Sequence, residues 1–576
     1  MLRSTFYGFN IAFSGLMTAQ KALDLTGNNI SNVNTAGYTR QRLDLNSIAS
    51  ASYTDRYAPY NNVSIGRGVN VTQVAQLRDP FLDARFRREA ANIGELDSQL
   101  SALSDIARIF DEVQSDALNK SLEDLRTQLQ VYSTQTGEVT IDTTVWSAAE
   151  TVVKMLNQYS RQISEVRDYQ EFLLKDSALP EVNKMLENLA QLNKNIRECE
   201  IYGNPALELK DERNLLLDKL SAYMKIDVTY YPDKELEDAG IKGVDICRVA
   251  FIADNDPPLD LDVRTLVDGV NYTSLVYNKV AADPADPLDP DRMTVCITKE
   301  TPQPNEITNR ENKITDPATT TDLFFSSGAI KGALDMLNSR GAFDDPPNTL
   351  NGIGYYESVL DRIVRDFAGT MNDANKYIDP SYEPYITDAV TGDLIPNPDP
   401  PPLLDDHPLF EAGDGSGVIT AANIQIATGW KNGSYNLTTT KKLSLPGDDF
   451  SGETDNLLYM ISLLDKSFSF TTEGINDGAN NTSATPLYTG TFEQMFKNIG
   501  LIAAQDVSLK EKALSANTTV IMGIEDQRNS LSSVSMDEEG VNLLMFQKSY
   551  AANARVMTTL DEALDILINR LGIVGR

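Results

Sequence analysis

Histidine, cysteine and tryptophan are scarce in this chain of 576 residues, which contains one, three and two of them. The single histidine, His407, lies in an acidic, proline-rich stretch, so a surface loop is a better interpretation than a catalytic base. The sequence has no P-loop, no nucleophile elbow and no zincin spacing. We therefore expect no enzymatic activity, no catalytic residue and no cofactor.

Cys199, Cys247 and Cys296 are too few and too far apart for a disulfide framework or a zinc ribbon. Cys199 ends a heptad-spaced apolar run, which favours packing in a core. The Asp-Pro run at 283–291 and the pair Asp405-Asp406 could collect calcium. Because the run has neither the glycine nor the closing glutamate of an EF-hand, we expect no specific metal site.

Long apolar runs and excess positive charge are also missing. No window approaches eighteen uninterrupted apolar residues, so we expect no membrane insertion. The first residues lack the charged, apolar and cleavage regions of a secretory signal, which taken alone predicts a cytosolic protein. The formal net charge of −33 makes nucleic acid and anionic membranes poor partners.

The two ends of the chain are nearly neutral although the whole chain is strongly acidic. Residues 1–45 hold four basic and two acidic groups, and residues 537–576 hold four and six. The negative charge therefore belongs to the middle of the chain, which must face solvent. The ends can pack closely against copies of themselves.

The last forty residues carry a heptad-spaced series, apolar except for one asparagine, which we name the C-terminal seam. Its members are Leu543, Phe546, Tyr550, Asn553, Met557, Leu560, Leu564, Leu567 and Leu571. Spacings of three and four residues predict a coiled-coil helix. Ser535 followed by Glu538 predicts a capping box at its start.

The first residues carry a second such series, which we name the N-terminal seam. Its members are Phe9, Phe13, Leu16, Gln20, Leu23 and Ile30, with the small Ala12, Ala19 and Ala22 beside them. Burying one seam does not offset the conformational entropy of ordering a whole terminal helix. We therefore expect the ends to be mobile in an isolated subunit and to order against neighbouring subunits. The alternative is an ordinary intramolecular coiled coil that closes the fold.

Between the ends, helical periodicity alternates with strand-like stretches. Helices are expected near 79–113, 119–132, 145–176, 181–201, 207–223, 328–337 and 350–376, and again from about 491, with a break at Pro180. Strands are expected at 227–231, 249–252 and 294–297, and around Ile424, Tyr435 and Phe468.

These patterns predict a mainly α fold with β-rich insertions. We expect terminal coiled-coil helices from residues 1–50 with 535–576. A rod domain of long helices would comprise 51–377 with 471–534, including a strand-rich segment at 226–325. A β-rich outer domain would be inserted at 378–470.

Both ends resemble those of the bacterial flagellar rod, hook and hook-associated proteins. The N-terminal resemblance lies in Phe13-Ser14-Gly15-Leu16 and in Asn28, Asn29, Asn32, Thr35, Gly37, Tyr38, Arg40 and Gln41. The C-terminal resemblance lies in Asp537-Glu538-Glu539, Leu543, Phe546-Gln547, Tyr550 and Asn553. Within this family, Tyr38-Thr39-Arg40-Gln41 and the stretch Asp79-Pro80-Phe81-Leu82 are most similar to the hook-associated members.

The resemblance implies a structural, self-assembling subunit at the junction of hook and filament. It implies export by the flagellar type III apparatus without a cleaved signal peptide, which replaces the cytosolic expectation with an extracellular one. The implied partners are the hook protein, the second hook-filament junction protein, copies of the chain in a ring, and an export chaperone on the C-terminal helix. The alternatives are another axial flagellar protein (the hook protein or the second junction protein) or a secreted enzyme carried on the β-rich insertion.

Overall fold

The architecture follows from long helices around one central helix. A computed structural model describes residues 6–48, 66–110, 112–134, 139–241, 243–254, 261–281, 291–300, 324–379, 381–383, 385–387, 394–397, 401–442, 452–475 and 485–566. The helices are α1 (Phe6–Ser31), α2 (Pro80–Ile109), α3 (Glu112–Thr134), α4 (Val139–Phe172), α5 (Leu179–Ile201), α6 (Leu207–Tyr223), α7 (Lys234–Asp238), α8 (Leu261–Arg264), α9 (Ala329–Asn338), α10 (Ile353–Asn375), α11 (Thr428–Lys431), α12 (Asp455–Asp465), α13 (Phe492–Ser532) and α14 (Met536–Asp565).

The strands form one sheet of five members and several two-stranded pairs. They are β1 (Gln41–Ser47), β2 (Val69–Gln76), β3 (Ile226–Pro232), β4 (Asp245–Phe251), β5 (Thr265–Asp268), β6 (Asn271–Val280), β7 (Arg292–Glu300), β8 (Tyr377–Ile378), β9 (Tyr385–Thr387), β10 (Leu394–Pro396), β11 (Leu403–Leu404), β12 (Phe410–Ala412), β13 (Ile424–Ile426), β14 (Phe468–Thr471) and β15 (Pro486–Gly490). The fold is mainly α with β-rich insertions, as predicted.

Helix α2 is the centre of the rod, because α13 lies along it and α4, α6 and α9 pack around it. An aromatic cluster joins the far ends of these helices. Phe110 stacks on Tyr159 of α4, and Tyr159 lies 4.9 Å from Phe496 of α13 between ring centroids. Tyr356 of α10 completes the cluster. Aromatic rings bury large areas and pack edge to face, so this cluster fixes how four helices meet.

The ends of these helices follow from local sequence. The Asp79 carboxylate accepts a hydrogen bond from the Phe81 amide, and Pro80 lies in the first turn of α2, where no amide donor is needed. Thr491 and Gln494 form a capping box at the start of α13. Ser535 accepts the Glu538 amide at the start of α14. Within the described residues, no helix is long and apolar enough to cross a membrane.

The break predicted at Pro180 is wrong. The helical backbone continues from α4 through a π-helical turn at Leu173–Ala178 and into α5. Pro180 occupies the first turn of α5. Proline cannot donate the usual hydrogen bond to the residue four positions back, and a wider turn directly before it relieves the crowding of its ring.

The five-stranded sheet is an antiparallel meander in the order β3-β4-β5-β6-β7, so the strands predicted at 227–231, 249–252 and 294–297 are present. Helix α5 covers the sheet through an apolar run that includes Val182 and Leu189. Cys199, predicted to lie in the core, is only half-buried because it falls in the last turn of α5. The Asp-Pro run considered for calcium lies outside the described residues except for Asp291.

The range 378–470 contains two- and three-residue strands together with helices α11 and α12. Part of it lies directly on the rod. Trp430 donates its indole N–H to the buried Asp142 carboxylate of α4, at 3.2 and 3.3 Å from the two oxygens. Asn157 of α4 donates to the carbonyl oxygens of Ala421 and Ile424. The stretch 409–439 is therefore anchored to the helices and is not held by sheet pairing alone.

The strand predicted around Tyr435 is wrong. Gly433, with φ of +75°, turns the chain there, and the Tyr435 hydroxyl donates to the Pro408 carbonyl. The Tyr435 ring stacks on His407 at 4.4 Å, and Tyr377 stacks on the opposite face of the imidazole at 4.3 Å. His407 thus lies in a loop, as predicted, but between two rings and not as a free surface side chain.

One contact of the anchored stretch is expected to depend on pH. Asp361 of α10 accepts the Ala421 amide at 2.7 Å, and burial, together with the charge of Glu357, raises the pKa of Asp361 to about 6. A carboxyl whose pKa is raised in the folded protein binds its proton more tightly there, so stability increases as pH falls from above 6 towards 4. Asp361→Asn should therefore stabilise the protein by about 3 kcal/mol at pH 7.5 and show little of this pH dependence.

Urea unfolding followed by tryptophan fluorescence would measure this difference. The matched control is Asp176→Asn, which removes an exposed carboxylate of the π-helical turn and should change nothing. If Asp361→Asn and the unmodified chain are equally stable at pH 7.5, the pKa of Asp361 is not raised in the folded protein.

Candidate assembly interface

The first and last described helices, α1 and α14, form an antiparallel pair. A Cβ atom added at Gly8 would lie 3.4 Å from Leu560, and one added at Gly15 would lie 2.8 Å from the Asn553 side chain. Seven residues forward on α1 thus correspond to seven residues backward on α14. At Gly15 no side chain other than hydrogen fits without moving Asn553, so the two helices approach unusually closely.

One stripe of α1, buried or half-buried along its length, has mostly small residues in heptad spacing, and we name it the small-residue face. Its members are Gly8, Ala12, Gly15, Ala19, Ala22, Thr26 and Asn29. Ala12, Ala19 and Ala22 are 2–3% exposed. Small side chains allow the backbones of two helices to come close, and so they set the spacing of the pair.

The predicted N-terminal seam is displaced by one residue from this face, about 100° around the helix. Phe9, Leu16, Leu23 and Ile30 are half-buried at its flank. Phe13 is 49% exposed and Gln20 is also exposed. Apolar periodicity favours the large residues, because they bury more area, and the alanines stand beside them in the sequence. The regular four-and-three spacing of glycine and alanine was the signal that would have identified the small-residue face.

The residues of the C-terminal seam also differ in how far they are exposed. Phe546, Asn553, Met557, Leu560 and Leu564 are half-buried on the side of the pair. Leu543 and Tyr550 are just over one third exposed. Leu567 and Leu571 lie outside the described residues. The rest of α14 carries further exposed apolar side chains, namely Val541, Leu544, Met545, Val556 and Ile566.

The family motif forms the turn that connects α1 to the hairpin β1–β2. The Asn29 side chain pairs with the backbone of Gln41, accepting its N–H at 3.1 Å and donating to its C=O at 3.0 Å. Tyr38 donates its hydroxyl to the same Asn29 oxygen at 2.9 Å. Burial and the nearby carboxylates raise the pKa of Tyr38 to about 12, so the phenol keeps the proton that it donates.

The remaining asparagines shape the same turn. Asn32 donates to the Asn28 carbonyl at 3.0 Å, and Thr35 donates to the Asn32 side-chain oxygen at 3.2 Å. Gly37 has a φ of +81°, and a Cβ there would lie 3.3 Å from Leu215 of α6. Only glycine adopts this conformation so close to another helix without strain.

Arg40 connects the motif to the start of α14. Its guanidinium binds Glu539 at 2.8 Å and Glu538 at 2.5 Å. Burial lowers the pKa of Arg40, but the hydrogen bonds and charges of these two glutamates outweigh it and raise the pKa overall. Glu539 is itself buried, and a buried carboxylate requires such a partner. The motif and the predicted acidic start of α14 are thus brought together.

Two further contacts fasten the motif to the rod. Asp211 of α6 accepts the Thr39 amide at 3.0 Å, and Gln41 donates its side-chain amide to Glu208 at 3.1 Å. The hairpin lies along the other side of α1, where Tyr7 donates to the Gly66 carbonyl and Val69 donates its amide to the Ser14 hydroxyl. The interface as a whole is a structural joint and carries no arrangement of groups for catalysis among its described residues.

Replacement of Asn29 by aspartate tests the role of the motif. An aspartate accepts the Gln41 amide but cannot donate to the Gln41 carbonyl, and it adds a charge near Glu539. A buried acceptor left without a donor costs about 1–3 kcal/mol. We expect amide hydrogen exchange in β1 and β2 to accelerate at least about tenfold. The control Asn34→Asp changes an exposed asparagine of the same turn and should leave the exchange rates unaltered.

Comparison with known proteins gives three family matches along the chain. Residues 9–39 match the flagella basal body rod protein family, residues 103–377 match the flagellar hook-associated protein FlgK helical domain, and residues 526–571 match the flagellar basal body rod FlgEFG protein C-terminal family. The first match covers α1 from residue 9, the last match contains α14, and the middle match contains most of the rod.

Relatives are similar over the whole length. The chain is 27% identical to flagellar hook-associated protein 1 of Bacillus subtilis, with all of both chains covered. It is 25% identical to flagellar hook-associated protein 1 of Salmonella typhimurium, over 97% of this chain and 99% of that one. The solved structure of the flagellar hook junction protein FlgK from Burkholderia pseudomallei has the same fold, with a TM-score of 0.50 at 13% identity, over 78% of this chain and 100% of that chain. The chain is therefore similar to flagellar hook-associated protein 1 over its whole length and matches flagellar family models at both ends and in the middle.

Proposed function

We propose that this chain joins hook to filament by packing its paired terminal helices against those of neighbouring subunits. Its family makes it a structural component of the bacterial flagellum that associates with other axial proteins. The observation that carries the proposal is the division of α1 into two faces. The small-residue face is used within the subunit, whereas the large side chains of the N-terminal seam stay at the flank, with Phe13 exposed.

The arrangement of domains supports this mechanism. The terminal pair, residues 1–50 with 535–576, forms the inner assembly layer. The rod, residues 51–377 with 471–534, lies outside it, and residues 378–470 form the outermost part. The strongly acidic middle of the chain faces solvent in this arrangement, and the nearly neutral ends pack among copies.

The proposed partners are those that the family resemblance implies. The hook protein lies below the subunit, the second hook-filament junction protein lies above it, and copies of the chain complete a ring. Before export, a cytosolic chaperone covers α14, whose exposed Val541, Leu544 and Met545 would otherwise favour premature association. Export proceeds without a cleaved signal peptide, and the subunit acts outside the cell without catalysing a reaction.

Addition of purified protein to isolated hooks tests the proposal directly. The unmodified chain should add to hook ends and permit filament growth. The double change Leu560→Asp and Leu564→Asp should abolish addition while the rod stays folded by circular dichroism, because two charges cannot be buried in the seam. The matched control is Leu458→Asp with Tyr459→Asp, two exposed apolar residues of α12 away from the ends. If the seam variant adds to hooks as well as the unmodified chain does, the C-terminal seam is not needed for assembly.

Limited proteolysis tests the coupling of order to assembly. In dilute free protein the two ends should be cut before the rod, because a single helix pair contributes little against the entropy of ordering it. After addition to hook ends the same sites should be protected. Complete protection of both ends in the dilute monomer would show that neighbouring subunits are not needed to order them.

A further inference from the structure

Three segments of chain pass between the terminal pair and the rod, and they lie side by side. The segment after the motif turn leads into β1, the segment after β2 leads into α2, and the segment after α13 leads into α14. Leu77 donates its amide to the Arg40 carbonyl at 2.9 Å, and Arg40 donates its amide to the Ser532 carbonyl at 2.8 Å. The direction of the terminal pair therefore depends on what holds these segments to the rod.

Directly beneath them lies a network of three arginines and three aspartates, which we name the charge network. Its members are Arg78, Asp83, Arg87, Asp211, Asp218 and Arg528. Their side chains are 8–17% exposed, and their formal charges cancel. They belong to α2, α6, α13 and the residues just before α2.

Arg528 is the member that binds two helices at once. It lies near the end of α13, beyond Ile524, the last buried residue of that helix. Its Nε is 3.1 Å from Asp83 of α2, and its Nη2 is 2.7 Å from Asp218 of α6. Its guanidinium stacks over the Phe86 ring at 4.4 Å. The two aspartates hold two edges of the planar guanidinium and the Phe86 ring covers one face, so the group has a single orientation.

The surroundings do not fix that orientation by close packing. A cleft of about 360 Å³ lies beside Arg528, lined by Tyr38, Asp83, Asp218 and Leu531 among others. The end of α13 is therefore packed less closely than the part of the helix that ends at Ile524. Buried ion pairs add little net stability, because desolvation of the charges offsets their attraction, but their hydrogen bonds are directional. The charge network consequently restricts geometry more than it adds stability.

We propose that Arg528 is a positioning residue that sets the direction of the terminal helix pair relative to the rod. It fixes the last turns of α13. The Arg40–Ser532 hydrogen bond then couples the orientation of those turns to that of the motif turn and α14. This inference rests on the proposed function, since a fixed direction matters when each pair must fit between those of neighbouring subunits. Mispositioned pairs would be folded but would not enter the ring.

Arg528→Lys tests this role, because lysine keeps the positive charge but cannot bind Asp83 and Asp218 through two edges of a planar group. The matched control is Arg167→Lys, which alters a comparably buried arginine that binds Glu357 within the rod, with its Nε 2.9 Å from a glutamate oxygen. Both variants should unfold at similar temperatures and keep the helix content of the unmodified chain. Addition to hook ends should fall at least tenfold for Arg528→Lys and stay unchanged for Arg167→Lys.

A distance measurement separates positioning from general damage. Spin labels are placed on Lys548→Cys in α14 and Lys194→Cys in α5, both exposed, with Cys199 replaced by serine. The distance distribution should broaden or shift in Arg528→Lys and stay that of the unmodified chain in Arg167→Lys. An unchanged distribution, normal addition by Arg528→Lys, or equal loss of addition by both variants would each overturn the inference. Failure of the unmodified chain to add to hooks would instead refute the proposed function.

Discussion

Two backbone hydrogen bonds, from Leu77 to Arg40 and from Arg40 to Ser532, hold the ends of this protein to its body. They form because α13 returns the chain to the place at which it left the motif turn, and the contacts of Thr39 with Asp211 and of Gln41 with Glu208 hold the same turn to α6. The aromatic cluster around Tyr159 fixes the far end of α13 and α2, and the charge network fixes the near end. Between these two points α13 lies along α2, and the terminal pair continues beyond it.

The same hydrogen-bond arrangement connects a helix to extended backbone at three places in the structure. The side-chain amide of a helical asparagine accepts an N–H from a neighbouring extended segment and donates to a C=O of the same residue. Asn29 does this with Gln41, Asn183 with Leu275, and Asn338 with Met293. Each amide satisfies buried polar groups that a strand would otherwise bond, so helix and sheet meet without unpaired donors. Asn29 of the family motif is one instance of this general arrangement.

The close approach of α1 and α14 separates contacts within a subunit from those proposed between subunits. The two helices meet through glycine and alanine, so the large side chains of the N-terminal seam lie beside this contact and not at its centre. Phe13 and the outer side of α14 are left uncovered in the single chain. A face of large residues used internally would have left less apolar surface for the proposed contacts between subunits.

The sequence by itself determined the helices, because apolar periodicity and caps such as Asp79 and Ser535 act locally. It also determined the partition of charge and, through the motif, the family. It predicted that the terminal helices pair with each other or with neighbouring copies, and within the chain they meet through the small-residue face, one residue along α1 from the N-terminal seam. Contact of the seam itself with neighbouring subunits stays a prediction. Only the tertiary structure decided that Pro180 continues a helix, that Tyr435 stacks on His407, and that Arg528 joins α2 to α6. The last two depend on residues that lie far apart in the chain, whose proximity no local pattern records. The first depends on a π-helical turn directly before the proline, which apolar periodicity does not indicate.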